Sequence, residues 1–201
     1  GTDYTSTLTN TAFSNGVTIS GGTITVPAGV TSFTVTVPTT ADTIDEVNET
    51  YTLTVGAASG VGTINDNDAA PVISAVSSPT AVEGTNLSYS VTLSNASSVA
   101  TTYAYSLGGG SAGAGDYGTP TFTNGVTLSA GVLTVPAGVT SFTVTLPTVD
   151  DTTVESSEIV PLTIGGVTGN GTITDNDFAP VATNGAIYIT EEAASVVTGT
   201  G

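Results

Sequence analysis

Apolar side chains return at every second position over much of this chain. Residues 32–37 place Phe33, Val35 and Val37 on one face and Ser or Thr on the other, and Phe142, Val144 and Leu146 do the same. The alternation recurs in Tyr51, Leu53 and Val55, in Leu87, Tyr89, Val91 and Leu93, in Tyr103, Tyr105 and Leu107, and in Val160, Leu162 and Ile164. A period of two puts successive side chains on opposite faces of an extended chain, so each run predicts a half-buried strand. Pro27-Ala28-Gly29 and Pro136-Ala137-Gly138 read as tight turns with Pro second and Gly fourth. Thr, Val, Gly and Ser dominate, which favours strands and turns over helices. Several short strands between turns predict an all-β chain of antiparallel β-sandwiches.

The pattern is duplicated. Residues 25–36 (TVPAGVTSFTVT) recur unchanged at 134–145, an offset of 109 that Asp42, Glu46, Glu49, Asp66 and Asp68 share with Asp151, Glu155, Glu158, Asp175 and Asp177. A repeat of this length matches a tandem domain rather than a solenoid turn. The expected organisation is a unit over 1–68, a linker over 69–71, a complete unit over 72–177, and a linker with the first strand of a further unit over 178–201. The first unit enters at Asp3-Tyr4, the match of Asp116-Tyr117, and is expected to lack the counterpart of residues 72–115 and so its first strands. Pro71 and Pro180 restrict the residues before them and stiffen the joints.

Charge adds the chemistry. The 201 residues carry 17 Asp and Glu and no Lys, Arg or His, for a net charge of -17. Two carboxylates about 4 Å apart repel by roughly 4 kcal/mol at an effective dielectric near 20, and nothing in the chain offsets that. In the second unit the acids gather at predicted strand ends and loops: Glu83, Asp116, Asp150, Asp151, Glu155, Glu158, Asp175 and Asp177, with Asn176 between the last two. In the first unit Asp3, Asp42, Glu46, Glu49, Asp66 and Asp68 repeat them. Oxygen ligands without His or Cys select a hard cation, and a flexible set of six to eight oxygens suits Ca²⁺ better than Mg²⁺. With no Cys there is no disulfide, and with no Lys no isopeptide bond, which leaves calcium as the cross-link. Strong negative charge argues against nucleic acid and anionic membranes as direct partners. No apolar run reaches the roughly 18 residues of a membrane-spanning helix.

In this order and spacing, Val82-Glu83-Gly84, Gly115-Asp116-Tyr117, the run from Asp150-Asp151 through Glu155 to Glu158, and the closing GTITDND at 171–177 resemble the Calx-beta domain family. The resemblance spans the second unit and the later part of the first. It implies immunoglobulin-like sandwiches of the kind found in large bacterial surface and adhesin proteins, including RTX-type adhesins. It also implies a calcium cluster at one end of the sandwich, held by the eight acids named, with the Asn176 carbonyl as a neutral ligand. The first unit has Ala41 where the second has Asp150, and no partner for Glu83, so its cage should bind fewer ions or bind more weakly. Residues 178–201 resemble the opening of a cadherin-like or VCBS-type repeat, with a strand at Ile187 and Ile189 and acids at Glu191 and Glu192.

Other motifs fall away. Asp175-Asn176-Asp177 and Asp66-Asn67-Asp68 start like an EF-hand loop but lack its sixth-position Gly. The glycines at 108–110, 113 and 115 show no nine-residue period and read as a loop. An enzyme is not expected, because a chain without His, Cys, Lys or Arg lacks the usual bases, nucleophiles and oxyanion cations. The expected function is a calcium-rigidified spacer stalk in an extracellular adhesin or biofilm matrix, with neighbouring repeats as partners. The alternative is a head-to-tail filament of copies of the chain, in which the C-terminal tail adds a strand to the incomplete first unit.

Overall fold

The computed structural model describes residues 3–179, 181–183 and 186–188. They are almost entirely strand and loop, and they cluster into two units: Gly1–Thr43 with Val47–Asn67, and Ile44–Glu46 with Asp68–Gly201.

Unit 1 contains one 3-10 turn, Asn10–Ala12, and two hairpins. In these, β1 (Thr18–Ser20) pairs antiparallel with β2 (Thr23–Thr25), and β3 (Glu49–Val55) with β4 (Ala58–Ile64). The strand expected over residues 32–37 is not formed as a ladder; its place is marked by isolated bridges, Phe13 to Val35 and Tyr4 to Thr39. The local frame is nevertheless that of the repeat twin. Asn15 donates to the Ser32 carbonyl at 2.8 Å as Asn124 does to Ser141 at 2.7 Å.

Unit 2 is a two-layer sandwich. Its strands are β5 (Ile73–Val76), β6 (Thr80–Val82), β7 (Asn86–Leu93), β8 (Thr101–Leu107), β9 (Thr121–Phe122), β10 (Thr127–Ser129), β11 (Val132–Val135), β12 (Ser141–Pro147), β13 (Glu158–Ile164) and β14 (Val167–Thr174). One sheet has the order β10-β11-β8-β13-β14-β6, the other β5-β7-β12-β9. The predicted period of two is met, with every second residue of β7 buried and Val160, Leu162 and Ile164 of β13 fully enclosed. The Tyr89 hydroxyl on β7 crosses between the layers and donates to the Val160 carbonyl at 2.6 Å. Gly171 on β14 leaves room for that ring, since a Cβ there would collide with the hydroxyl.

The expected sandwich of antiparallel strands is formed, and within it one pairing and the position of the Pro-Ala-Gly turns differ from expectation. Among the described strands the pairing is antiparallel except between β6 and β14, which run parallel. After β5 the chain leaves one sheet for the other through Ser77 and Pro79, where Thr172 N–H donates to the Pro79 carbonyl at 2.8 Å, and it then joins the edge beside β14. The Pro-Ala-Gly turns also sit one residue later than expected. Val30 N–H closes on the Pro27 carbonyl at 3.2 Å and Val139 N–H on Pro136 at 3.3 Å. Gly29 and Gly138, at φ +82° and +78°, are therefore third in their turns, where a positive φ is required.

Beyond the sandwich, Val181–Thr183 (β15) and Ala186–Tyr188 (β16) pair antiparallel. Ile189, Glu191 and Glu192 lie outside the described residues. Among the described residues no helix is long and apolar enough to cross a membrane.

Candidate metal centre

The acids of unit 2 converge at one end of the sandwich because three strands terminate there. Glu83 directly follows β6, with its N–H donating to the Thr174 carbonyl at 3.0 Å. Glu158 opens β13, cross-strand from Ile173, and Asp175, Asn176 and Asp177 follow β14. Two loops complete the ring. Asp116 is set by Gly113 N–H on its Oδ2 at 2.5 Å and by its own carbonyl, which accepts Val149 N–H at 2.9 Å. The loop carrying Asp150, Asp151 and Glu155 starts from Thr148, which is nearly buried and donates its hydroxyl to the Thr85 carbonyl at 2.7 Å. Asp151 Oδ1 then accepts Thr153 N–H at 2.7 Å.

Two groups of three carboxylates result. One is Glu83, Asp151 and Asp177; the other is Asp116, Glu155 and Glu158; in each, one oxygen per residue lies within 4.8 Å of the others. Against the second group lies a cavity of ≈ 10 Å³, lined by Asp116, Glu155 and Glu158 together with Glu83 of the first group and Asp175. That is roughly the space of one water-sized sphere, and its walls draw on both groups. Asn176 ties the rim together: its N–H donates to Glu83 Oε1 at 3.0 Å, and its Nδ2 to Asp150 Oδ1 at 3.1 Å. Asp177 N–H donates to Asp175 Oδ1 at 3.2 Å.

The electrostatics follow from crowding. Glu83 is only 6% exposed. Burial pushes its carboxyl above the ordinary value, Asn176 N–H opposes this, and Asp175 and Asp177 push it further up. Glu158 is raised by desolvation, by its hydrogen bond to Asp116 and by that residue's charge. Glu155, exposed at the rim, is raised by partial desolvation and by Asp151, Asp116, Asp175 and Asp177. No Lys, Arg or His exists in the chain to relieve this. The donor set is all oxygen, which fits a hard divalent ion.

Of the predicted ligands, Asp150 and Asn176 stand at the rim joined to each other, and Asp175 lines the cavity. The six remaining predicted ligands of unit 2 supply the two groups. Asp3, Asp42, Glu46, Glu49, Asp66 and Asp68 do not form a comparable group among the described residues. Glu46 and Asp68 cluster with unit 2 rather than with unit 1.

Sequence reasoning missed the residues that hold the acids in place. Gly84 has φ +75°, and a Cβ on it would lie 3.0 Å from Asp150 Cβ, so only glycine lets the two loops approach. Thr85, Thr148, Thr153 and Gly113 act through backbone hydrogen bonds. In so Thr- and Gly-rich a chain, only the adjacency of Gly84 to Glu83 offered a signal.

No family model matches the chain, and no curated protein matches it. Among solved structures, the chain is similar to CBD12 from CALX1.2, at 18% identity over 53% of this chain and 44% of that one, with a TM-score of 0.41. It is also similar to the sixth cohesin from Acetivibrio cellulolyticus scaffoldin B, solved in complex with a mutant Cel5 dockerin. That likeness is 14% identity over 53% of this chain and 99% of that one, with a TM-score of 0.24. The chain spans less than half the length of the CALX1.2 structure.

Proposed function

We propose that unit 2 is a calcium-stabilised sandwich serving as a rigid spacer in an extracellular surface or matrix protein. The observation that carries this is the pair of carboxylate triples gathered at one end of the sandwich in a chain without a single basic side chain. Glu83, Asp151 and Asp177 would hold one ion, and Asp116, Glu155 and Glu158 a second, with Asp175 between them. The ions supply the positive charge that the fold lacks, and they tie the ends of β6, β13 and β14 to both loops. Binding to the folded cage alone adds stability as the logarithm of calcium over Kd, about 2.7 kcal/mol at a hundredfold excess. Sites of this class in extracellular modules work at Kd of about 10⁻⁴–10⁻³ M, so calcium outside a cell fills them and calcium inside does not. Neighbouring repeats of the same kind are the partners of a spacer. The same composition, without His, Cys, Lys or Arg, argues against catalysis.

The test is a thermal melt of the full chain in EGTA and in millimolar calcium. A hundredfold excess over Kd should raise the midpoint of unit 2 by about 10–20 °C. Asp151→Ala and Glu158→Ala, each removing one member of a triple, should each cut the rise. An unchanged midpoint would refute the calcium reading.

A further inference from the structure

Unit 1 repeats the apolar face of unit 2 but leaves it open. At the 109-residue offset, Phe33, Val35 and Val37 answer Phe142, Val144 and Leu146, while Ile24 and Val26 answer Leu133 and Val135. Tyr51, Leu53 and Val55 answer Val160, Leu162 and Ile164. In unit 2 these side chains are buried; in unit 1 the same positions are half-exposed, and Val26 is 44% exposed against 0% for Val135. The sheet order explains the difference. In unit 2, β8 lies between β11 and β13, and β7 lies along β12. In unit 1 the hairpins β1–β2 and β3–β4 stand as separate two-stranded sheets, and residues 32–38 form no ladder. The gaps fall where β8 and β7 sit in the twin.

A groove of ≈ 140 Å³ opens in unit 1, lined by Tyr4, Leu8, Val37, Tyr51 and Leu53 among others. Val37 in its wall is the twin of Leu146, which in unit 2 is cross-strand from Leu87. One feature departs from the twin. The Tyr51 ring covers Gly62, its cross-strand partner, so closely that a Cβ on Gly62 would collide with it. In unit 2 that glycine is Gly171, and the ring that covers it is Tyr89, reaching over from β7 of the opposite layer.

We propose that the open face of unit 1 is a docking surface for a four-strand segment of this same repeat class, built like Ile73–Leu107, with a small side chain at the position of Tyr89. One strand of the segment fills the gap between β2 and β3, antiparallel to both. Another runs beside residues 32–38 and turns them into a ladder. Tyr51 already occupies the space that Tyr89 takes in unit 2, so the incoming β7-like strand must be small there. This proposal does not depend on calcium.

The test grafts residues 69–115 of this chain ahead of Asp3, the join that Gly115-Asp116 makes in unit 2, in the full chain. Two grafts are compared, one carrying Tyr89→Ala and one retaining Tyr89. The readouts are amide exchange over residues 32–38 and 49–55 and binding of a hydrophobic dye. The Tyr89→Ala graft should slow exchange over both segments by roughly tenfold or more and reduce dye binding relative to the ungrafted chain. The Tyr89 graft should do less, and Tyr51→Val in unit 1 should restore its effect. No gain in protection from any graft would overturn the proposal. So would an ungrafted chain that is dimeric in solution and already protected over these segments, since a second copy would then be the occupant. Equal docking of the two grafts would overturn the requirement for a small side chain.

Discussion

Glu83 shows what a single residue carries in this fold. Its charge is nearly buried, faces Asp175 and Asp177, and is supported by one backbone N–H from Asn176. Glu83→Gln keeps the shape and an acceptor for Asn176 while deleting the charge. In EGTA at neutral pH the variant should melt above the parent, and calcium should then raise its midpoint less, as paired melts will read. Gly84→Ala should act the other way. At φ +75°, and pressed against Asp150, an added Cβ costs about 1–2 kcal/mol and displaces the loop that carries Asp151. Its melt should fall in EGTA and gain less from calcium. The acids were legible in the sequence because carboxylates without counter-charges stand out. Gly84 was not, because its task is defined by a loop about 65 residues away in the chain, near Asp150.

At the scale of the element, alternation named the strands but not their neighbours. Residues 32–37 and 141–146 are nearly the same sequence, yet only the second is a strand, since β7 and β9 flank it. Intrinsic preference for the extended form is a weak prior that pairing decides. The parallel run of β6 beside β14 was hidden for a similar reason: three residues, Thr80–Val82, carry too little pattern to reveal direction. Within the core, Tyr89→Phe removes the hydrogen bond to Val160 that joins the layers, and should cost unit 2 about 1 kcal/mol in denaturant melts. Gly171→Ala, which drives a methyl into that ring, should cost more, about 1–3 kcal/mol.

For unit 2 as a whole, the raised carboxyls set a pH dependence. Glu83, Glu155 and Glu158 all lie above the ordinary 4.5, so the folded form holds more protons than the unfolded chain as pH rises past that value. Stability of the ion-free protein therefore falls from about pH 4.5 upward until these groups have ionised in the folded state. Melts in EGTA should show a higher midpoint at pH 5 than at pH 7. The increment from calcium should grow over the same interval, because protons and the ion compete for the same oxygens.

The pairing of β6 with β14 has a mechanical side. These strands lie near the two ends of unit 2 and run parallel over Thr80–Val82 and Thr172–Thr174. Tension applied at the ends of such a unit drags them in opposite directions along their own axes, so the rungs between them are sheared together rather than unzipped in turn. Glu83 extends one strand and Asp177 follows the other, and both belong to one carboxylate triple. An ion held there would act as a rivet across the shear plane, and pulling on single molecules should find a rupture force that climbs with calcium.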